Sequence, residues 1–348
     1  MFSVDKILDL VCCPECKGRL DAQVTTEDSL GVWEGQLSCP VCSKAYPIRE
    51  GMLHLLPGQH ILAASKEWNL DNFDDAYSRL GNVKSNLEWA RNIGIPKPIA
   101  EYDHPRIKGR LIEWLHPPDG GVVLDVGAGS GYFIFEMMRV CSKRADLSFV
   151  GVDPSAEYIK WLERRRREEG LSNVLTVVGD GRALPFQRDS FDVVVCSEVL
   201  EHIPDKEKAI NEMATSLKKG GALLLSTPSK AAFDFWDFLS APLRWALKTR
   251  RGVCYDRPIH AEQLREYLAG AGLSVERFEM NVILPPQSYF AHLPDFIASM
   301  ATAVCGFLES HFKRQLASRF ALHMVVYSRK VSGGKDPTPV SVAVDKLP

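Results

Sequence analysis

Five short apolar runs recur through the middle of the chain, spaced so that a helix fits between most of them: VVLDV, LSFVGVD, NVLTVVGD, FDVVVCSE and GGALLLSTP. Runs of this length, rich in β-branched residues and bounded by Gly, Asp or Ser, read as buried strands. An apolar helix, YFIFEMMRVC, follows the first, and another pattern precedes Leu217-Lys-Lys-Gly-Gly, where that helix is expected to end. Strands alternating with helices predict a doubly wound, mostly parallel α/β sheet with ligands at the carboxyl ends of its strands. Past residue 258, IHAEQLREYLAGAG reads as a helix ended by glycine, and LSVERFEMN and FALHMVVYSRK add two strands, for a seven-stranded sheet.

The flanking patterns differ. Residues 1–57 form a small N-terminal unit, and 58–118 a polar, aromatic linker or lid region containing Trp68, Phe73, Tyr77, Trp89 and Trp114. LEWARNIG and IKGRLIEWL look helical there, and Tyr102 is a candidate neighbour of the bound ligand. The sheet domain spans 119–330 with insertions at 229–256 and 284–318, and 331–348 reads as a disordered tail.

Composition narrows the function classes. With 348 residues, 45% hydrophobic, the chain can bury a full core, and its net charge of −2 argues against a dominant nucleic-acid surface. The N-terminus lacks the basic start, apolar middle and cleavage site of a secretory signal, which places the protein in the cytoplasm. No run reaches the roughly 18 apolar residues of a spanning helix; FIASMATAVCGFL is too short and reads as a core or interfacial helix.

Five of nine cysteines precede residue 43, and four form two knuckles, Cys13-Pro-Glu-Cys16 and Cys39-Pro-Val-Cys42. Paired C-P-x-C turns supply the four thiolates of a closed, structural tetrahedral Zn2+ site. CPECKGRL, LSCPVC and YPIREGMLHLLP together resemble the zinc ribbon of the small activator protein that partners tRNA, rRNA and protein methyltransferases.

The chemistry centres on VVLDVGAGSGYF. A buried strand runs into Gly127, Gly129 and Gly131, which permit a tight turn and close approach of backbone to a ligand at a helix N-terminus. The second strand ends on Asp153, where a carboxylate can accept from both ribose hydroxyls, and the third on Asp180, followed by Gly181. LDVGAGSG, GVDPS, GDGRALPF and FDVVVCSEVLEHIPD, in that order, resemble the core of the class I S-adenosylmethionine-dependent methyltransferases over residues 119–228. The resemblance implies that Asp125, Gly127 and Gly129, with Gly131 in the same turn, hold the methionine end of the donor and Asp153 its ribose. It assigns Asp180 and Gly181 to the adenine and gives Ser197 a backbone contact.

In SEVLEHIPD, Glu198, Glu201 and His202 stand at i, i+3 and i+4, a spacing that gathers side chains on one helical face. A similar E-x-x-E-H segment in ubiquinone-pathway O-methyltransferases is associated with a divalent metal, which by resemblance makes Mg2+ at Glu198, Glu201 and His202 one reading. A base or acceptor contact is the second, and a purely structural role the third.

Both insertions are apolar, and the first mixes five aromatics, from Phe233 to Trp245, with a basic end. Such segments read as a lid over the acceptor pocket or as a surface for peripheral membrane contact, and they favour a small-molecule or lipid-like acceptor over RNA. The run Arg164 to Arg167, balanced by Glu163, Glu168 and Glu169, reads as a solvated helix face. The competing reading is RNA-base methylation, because EGMLHLLP is similar to the linker of bacterial rRNA guanine methyltransferases that carry an N-terminal ribbon. Against it, their fourth-strand motif is unlike SEVLEH and no basic, aromatic-interleaved surface is evident.

Overall fold

The computed structural model describes residues 2–58, 86–92, 94–142, 144, 146–247, 257–285, 290, 293–311 and 321–331, with backbone alone at 86, 89 and 240–247. Trp68, Phe73, Tyr77 and the tail from 332 onward lie outside the described residues.

The N-terminal unit begins with α1 (Val4–Leu10), whose Ser3 hydroxyl accepts from the Lys6 N–H. It continues as three antiparallel strands, β1 (Asp21–Asp28), β2 (Gly31–Ser38) and β3 (Ala45–Arg49), and a short β4 (Met52–His54). Glu50 and Gly51, both left-handed at φ 50° and 81°, make the two-residue turn from β3 to β4; that backbone matches the twist of a hairpin.

The seven expected strands follow as β5 (Val122–Val126), β6 (Ser148–Asp153), β7 (Val174–Val178), β8 (Phe191–Ser197), β9 (Leu217–Pro228), β10 (Leu273–Asn281) and β11 (His323–Lys330). They lie in the order β7-β6-β5-β8-β9-β11-β10, with β11 antiparallel to both its neighbours. The class is as expected, but the strand count is not. Among the described residues the sheet has eleven strands, because β4 pairs in parallel with β7, Leu53 opposite Val177 and His54 opposite Val178, and the Leu55 N–H donates to the Val178 carbonyl at 2.8 Å. An unpaired β7 would expose a row of polar backbone groups, and the ribbon covers that edge.

Packing joins the two units as firmly. Leu37, Tyr46, Leu53 and Leu55 of the ribbon share one buried cluster with Val177, Phe186, Phe191 and Met213. Lys17 donates to the Leu184 carbonyl at 2.8 Å and pairs with Glu212 at 2.5 Å. The other face of the sheet is covered by α3 (Lys97–Glu113), which follows α2 (Asn86–Asn92), and by α4 (Tyr132–Val140) and α5 (Ala156–Glu168). Trp114, at the end of α3, meets Tyr327 edge to face at 6.3 Å.

Three sequence expectations change here. On α5 Arg164 and Arg165 pair with Glu168 and Glu169 one turn on, as a solvated helix face would. Arg166 is buried on Glu163 at 2.5 Å, and Arg167 reaches across to Asp28 at 2.6 Å and stacks on Trp33, so half of that run anchors the ribbon. Leu217-Lys-Lys-Gly-Gly belongs to β9, because α6 (Lys206–Ser216) already ends at Ser216. Tyr102 sits under α9 (Asp295–His311), with Arg106 over its ring and bonded to Glu309 at 3.0 Å. The insertions supply α7 (Lys230–Leu247) and α9, while α8 (Ala261–Gly270) matches the expected helix. Among the described residues no helix is long and apolar enough to cross a membrane.

Candidate active site and metal centre

β5 and β6 deliver their carboxyl ends to one rim. Gly127, Gly129 and Gly131 all adopt positive φ, at 75°, 54° and 79°. A Cβ on Gly127 would strike Val199 at 2.4 Å and one on Gly131 would strike Leu162 at 2.3 Å, so packing fixes both as glycine. Gly129 faces open space, and its N–H donates to Asp153 Oδ2 at 3.0 Å while the Ser155 N–H donates to Oδ1 at 2.9 Å. Asp153 is thereby aimed by the turn it closes.

Asp125 is buried one residue before the last of β5. Burial, opposed by Lys108 and reinforced by Asp153, pushes its carboxyl up to about 7. At the end of β7, Asp180 holds the side chain of Arg182 at 2.7 Å and accepts from its N–H at 2.8 Å. Gly181 packs between Ile203 and Val126 at 3.3 and 3.4 Å from the place a Cβ would take. Ser197 is buried, its hydroxyl 3.1 Å from that of Ser226.

Lys108 escaped the sequence reading. It reaches from α3 over the rings of Tyr132 and Phe133 at 4.3 and 4.8 Å and bonds to Tyr132. Burial works against its charge, yet Tyr132, Asp125 and Glu198 outweigh it and hold the ammonium above the usual lysine range. Its one sequence signal is a lysine set beside Leu111 and Ile112 at i+3 and i+4, a cation on an otherwise apolar face.

The helical face expected for Glu198, Glu201 and His202 does not form. Glu198 turns left-handed at φ 55° directly after β8, and only a 3-10 turn, Leu200–His202, follows before α6. Glu198 Oε2 lies 2.8 Å from Nδ1 of His323, the first residue of β11. Glu201 is buried and accepts from the Thr227 hydroxyl at 3.1 Å, and the half-buried His202 closes the turn through its N–H to the Val199 carbonyl. The three are not gathered as metal ligands: among the described residues only the four cysteines are. This arrangement lends the Mg2+ expectation no support.

The cysteines do converge. The sulfurs of Cys13, Cys16, Cys39 and Cys42 lie within 4.8 Å of one another. Their knuckles repeat one hydrogen-bond pattern: Lys17 and Ser43, both left-handed, donate to the Cys13 and Cys39 carbonyls at 2.9 Å, and Cys13 and Cys39 donate to Gly18 and Lys44 at 2.9 and 2.8 Å. Despite burial, backbone N–H groups and neighbouring thiols bring Cys39 down to about 7, while its neighbours leave Cys42 pushed up to about 12. Four thiols crowded together resist full ionisation until a cation joins them, and this all-sulfur tetrad is compatible with Zn2+.

The family described as "Methyltransferase domain" matches residues 118–254 and that described as "Trm112p-like protein" matches residues 5–51. The chain is 32% identical over 204 residues to the ubiquinone biosynthesis O-methyltransferase of Xanthomonas axonopodis pv. citri, a match covering 58% of this chain and 80% of that protein. It is 34% identical over 103 residues to the uncharacterized methyltransferase YcgJ of Bacillus subtilis, covering 30% of this chain and 39% of that one. A putative sarcosine dimethylglycine methyltransferase from Galdieria sulphuraria shares the fold at TM-score 0.50 and 19% identity, over 75% of this chain and 99% of that one.

Proposed function

Because the chain belongs to the class I S-adenosylmethionine-dependent methyltransferases, we propose that it methylates an oxygen, nitrogen or carbon of a small, lipid-like acceptor. One observation carries this reading: the similarity extends over most of a relative named for ubiquinone biosynthesis. Apolar side chains left exposed on the two insertions, Phe238 at 81%, Phe296 and Met300 at 66%, support a greasy acceptor and a cytoplasmic enzyme that touches a membrane face peripherally.

When bound, S-adenosylmethionine supplies a methyl carried on a positively charged sulfur. Asp125 would take the donor's ammonium, since a cation there relieves the cost of its buried carboxylate, and Lys108 is within the same cluster to take the carboxylate. Gly127, Gly129 and Gly131 would admit the methionine end, Asp153 the ribose hydroxyls, and Asp180 with Gly181 the adenine, with Ser197 lending a backbone contact. The transfer is an in-line displacement in which donor charge disappears, so alignment and exclusion of water are the protein's main tasks. Cys13, Cys16, Cys39 and Cys42 would hold a structural Zn2+ that no substrate can reach.

Calorimetry with S-adenosylmethionine, followed by labelled methyl transfer to a lipid extract and to total RNA, tests the reading. Label in lipid is the expected result. RNA is the second reading because the ribbon matches a family of methyltransferase activators, and label there alone would replace the first.

A further inference from the structure

We propose that His323, held by Glu198, is the base that takes a proton from the methyl acceptor, so that the attacking atom is a hydroxyl or comparably weak acid. The inference rests on the methyltransferase reading above and deepens it.

Position comes first. Along the rim the donor contacts occupy the ends of β7, β6 and β5, in the order adenine, ribose, methionine. The next ends along the sheet are those of β8, β9 and, running the other way, the start of β11. Glu198 follows β8, and His323 opens β11 opposite Pro228 at the end of β9. The pair therefore stands on the side of the sheet rim beyond the donor's sulfur, where an acceptor has to approach.

Glu198 Oε2 is 2.8 Å from His323 Nδ1, a close ionic contact without hydrogen-bond alignment, and Nε2, on the far side of the ring from Glu198, is buried. The Glu198 backbone is left-handed, and its N–H is held twice, by the Ser226 carbonyl at 3.0 Å and the Ser226 hydroxyl at 3.2 Å. Backbone outliers held in this way concentrate at functional sites. Its other oxygen, Oε1, is buried with no hydrogen-bond partner among the described residues. Burial opposes ionisation of Glu198, but His323, Ser226 and Lys108 together hold its carboxyl below the usual range. Around the pair stand Lys108 from α3, Glu201 behind Thr227 of β9, and, opposite His323 on β10, the uncharged Asn281.

In the step proposed, the acceptor's oxygen–carbon bond forms as the donor's carbon–sulfur bond breaks and its electron pair passes to sulfur. The hydroxyl proton goes to Nε2 of His323, a buried atom, and passes to solvent when the products leave, with no other reactant needed.

S-adenosylmethionine and S-adenosylhomocysteine differ by one methyl and one positive charge at sulfur, so their affinity ratio reads charge at that point. Glu198 stays ionised. When His323 is protonated the pair is neutral, and when it is neutral the pair carries −1 and favours the sulfonium. The preference for S-adenosylmethionine should thus rise roughly three- to tenfold as pH rises through the imidazole titration, measured by calorimetry on the zinc-loaded full chain. Asp125 titrates nearby but faces the methionine end common to both ligands, so it cancels. His323→Gln should flatten the ratio, Glu198→Gln should keep the rise but displace it to lower pH because the carboxylate no longer supports the imidazolium, and retained S-adenosylhomocysteine binding shows that each variant is folded. A ratio independent of pH in the wild type, or unchanged in His323→Gln, overturns the proposal. Failure of the wild type to bind either ligand instead overturns the methyltransferase reading. Where label enters a lipid extract, His323→Gln should slow it at least about a hundredfold with the donor Kd little changed, and a rate within threefold of wild type refutes the base.

Discussion

At Asp125, burial and donor recognition oppose each other. An acid held near 7 instead of 3.8 is ionised at a cost in the folded, ligand-free chain. That cost is absent below about pH 4 and fully present above 7, so stability falls as pH rises across this window. At about 1.4 kcal/mol per tenfold, Asp125→Asn should stabilise the free protein by up to about 4 kcal/mol at pH 8, read from denaturant midpoints. The same substitution should weaken donor binding, and in the wild type calorimetry in two buffers should show proton release on binding near pH 7, absent in the variant. Glu198 offers a cleaner separation of strain from charge: Glu198→Gly should be more stable than Glu198→Ala by about 1 kcal/mol, because only glycine takes that backbone without cost. Equal thermal midpoints would refute it. The residues proposed for the donor rim could be named from sequence because each stands at the end of an apolar strand, Asp125 to Gly131 in one run and Asp153 and Asp180 after the next two strands. Lys108 and His323 could not, since each reaches the rim from an element distant in sequence, and no local spacing marks such a meeting.

Among elements, the helix α5 matters most for joining the units. Its Glu163 accepts from Arg166 at 2.5 Å, from Arg167 at 2.6 Å and from the Thr176 hydroxyl at 2.8 Å. Glu163→Ala would leave a buried guanidinium uncompensated and should cost about 3–5 kcal/mol; a loss under 1 kcal/mol in urea unfolding would show the network to be ornamental. Of the sheet's strands, β5 to β9 were readable from apolar runs, and β10 and β11 from the shorter patterns that follow α8. Their helices were readable to within a few residues, but the turn after β8 was not, because E-x-x-E-H has helical spacing and only the left-handed Glu198 and the approaching Pro204 break it. The role of the arginine run was hidden likewise: three Glu flanking four Arg suggest a wet surface, and only the neighbouring ribbon turns half of it inward.

For the whole molecule, the four cysteines hold more than a ribbon of fifty residues. β4 belongs to both the knuckled unit and the catalytic sheet, and the core runs unbroken across them. Metal removal by a strong chelator should therefore lower the melting temperature of the entire chain in a single transition, and should weaken donor binding at the β7 end as well. Two separate transitions, with donor binding intact, would refute this coupling. The two units were legible as separate motifs in the sequence, but their fusion was not, since a three-residue strand such as Met52–His54 carries no signal of which edge it will join.

That shared edge has a consequence for how the enzyme is made. A brace encoded in the same polypeptide is present at one copy per sheet from synthesis onward, so the edge of β7 is covered without a separate chain having to find it.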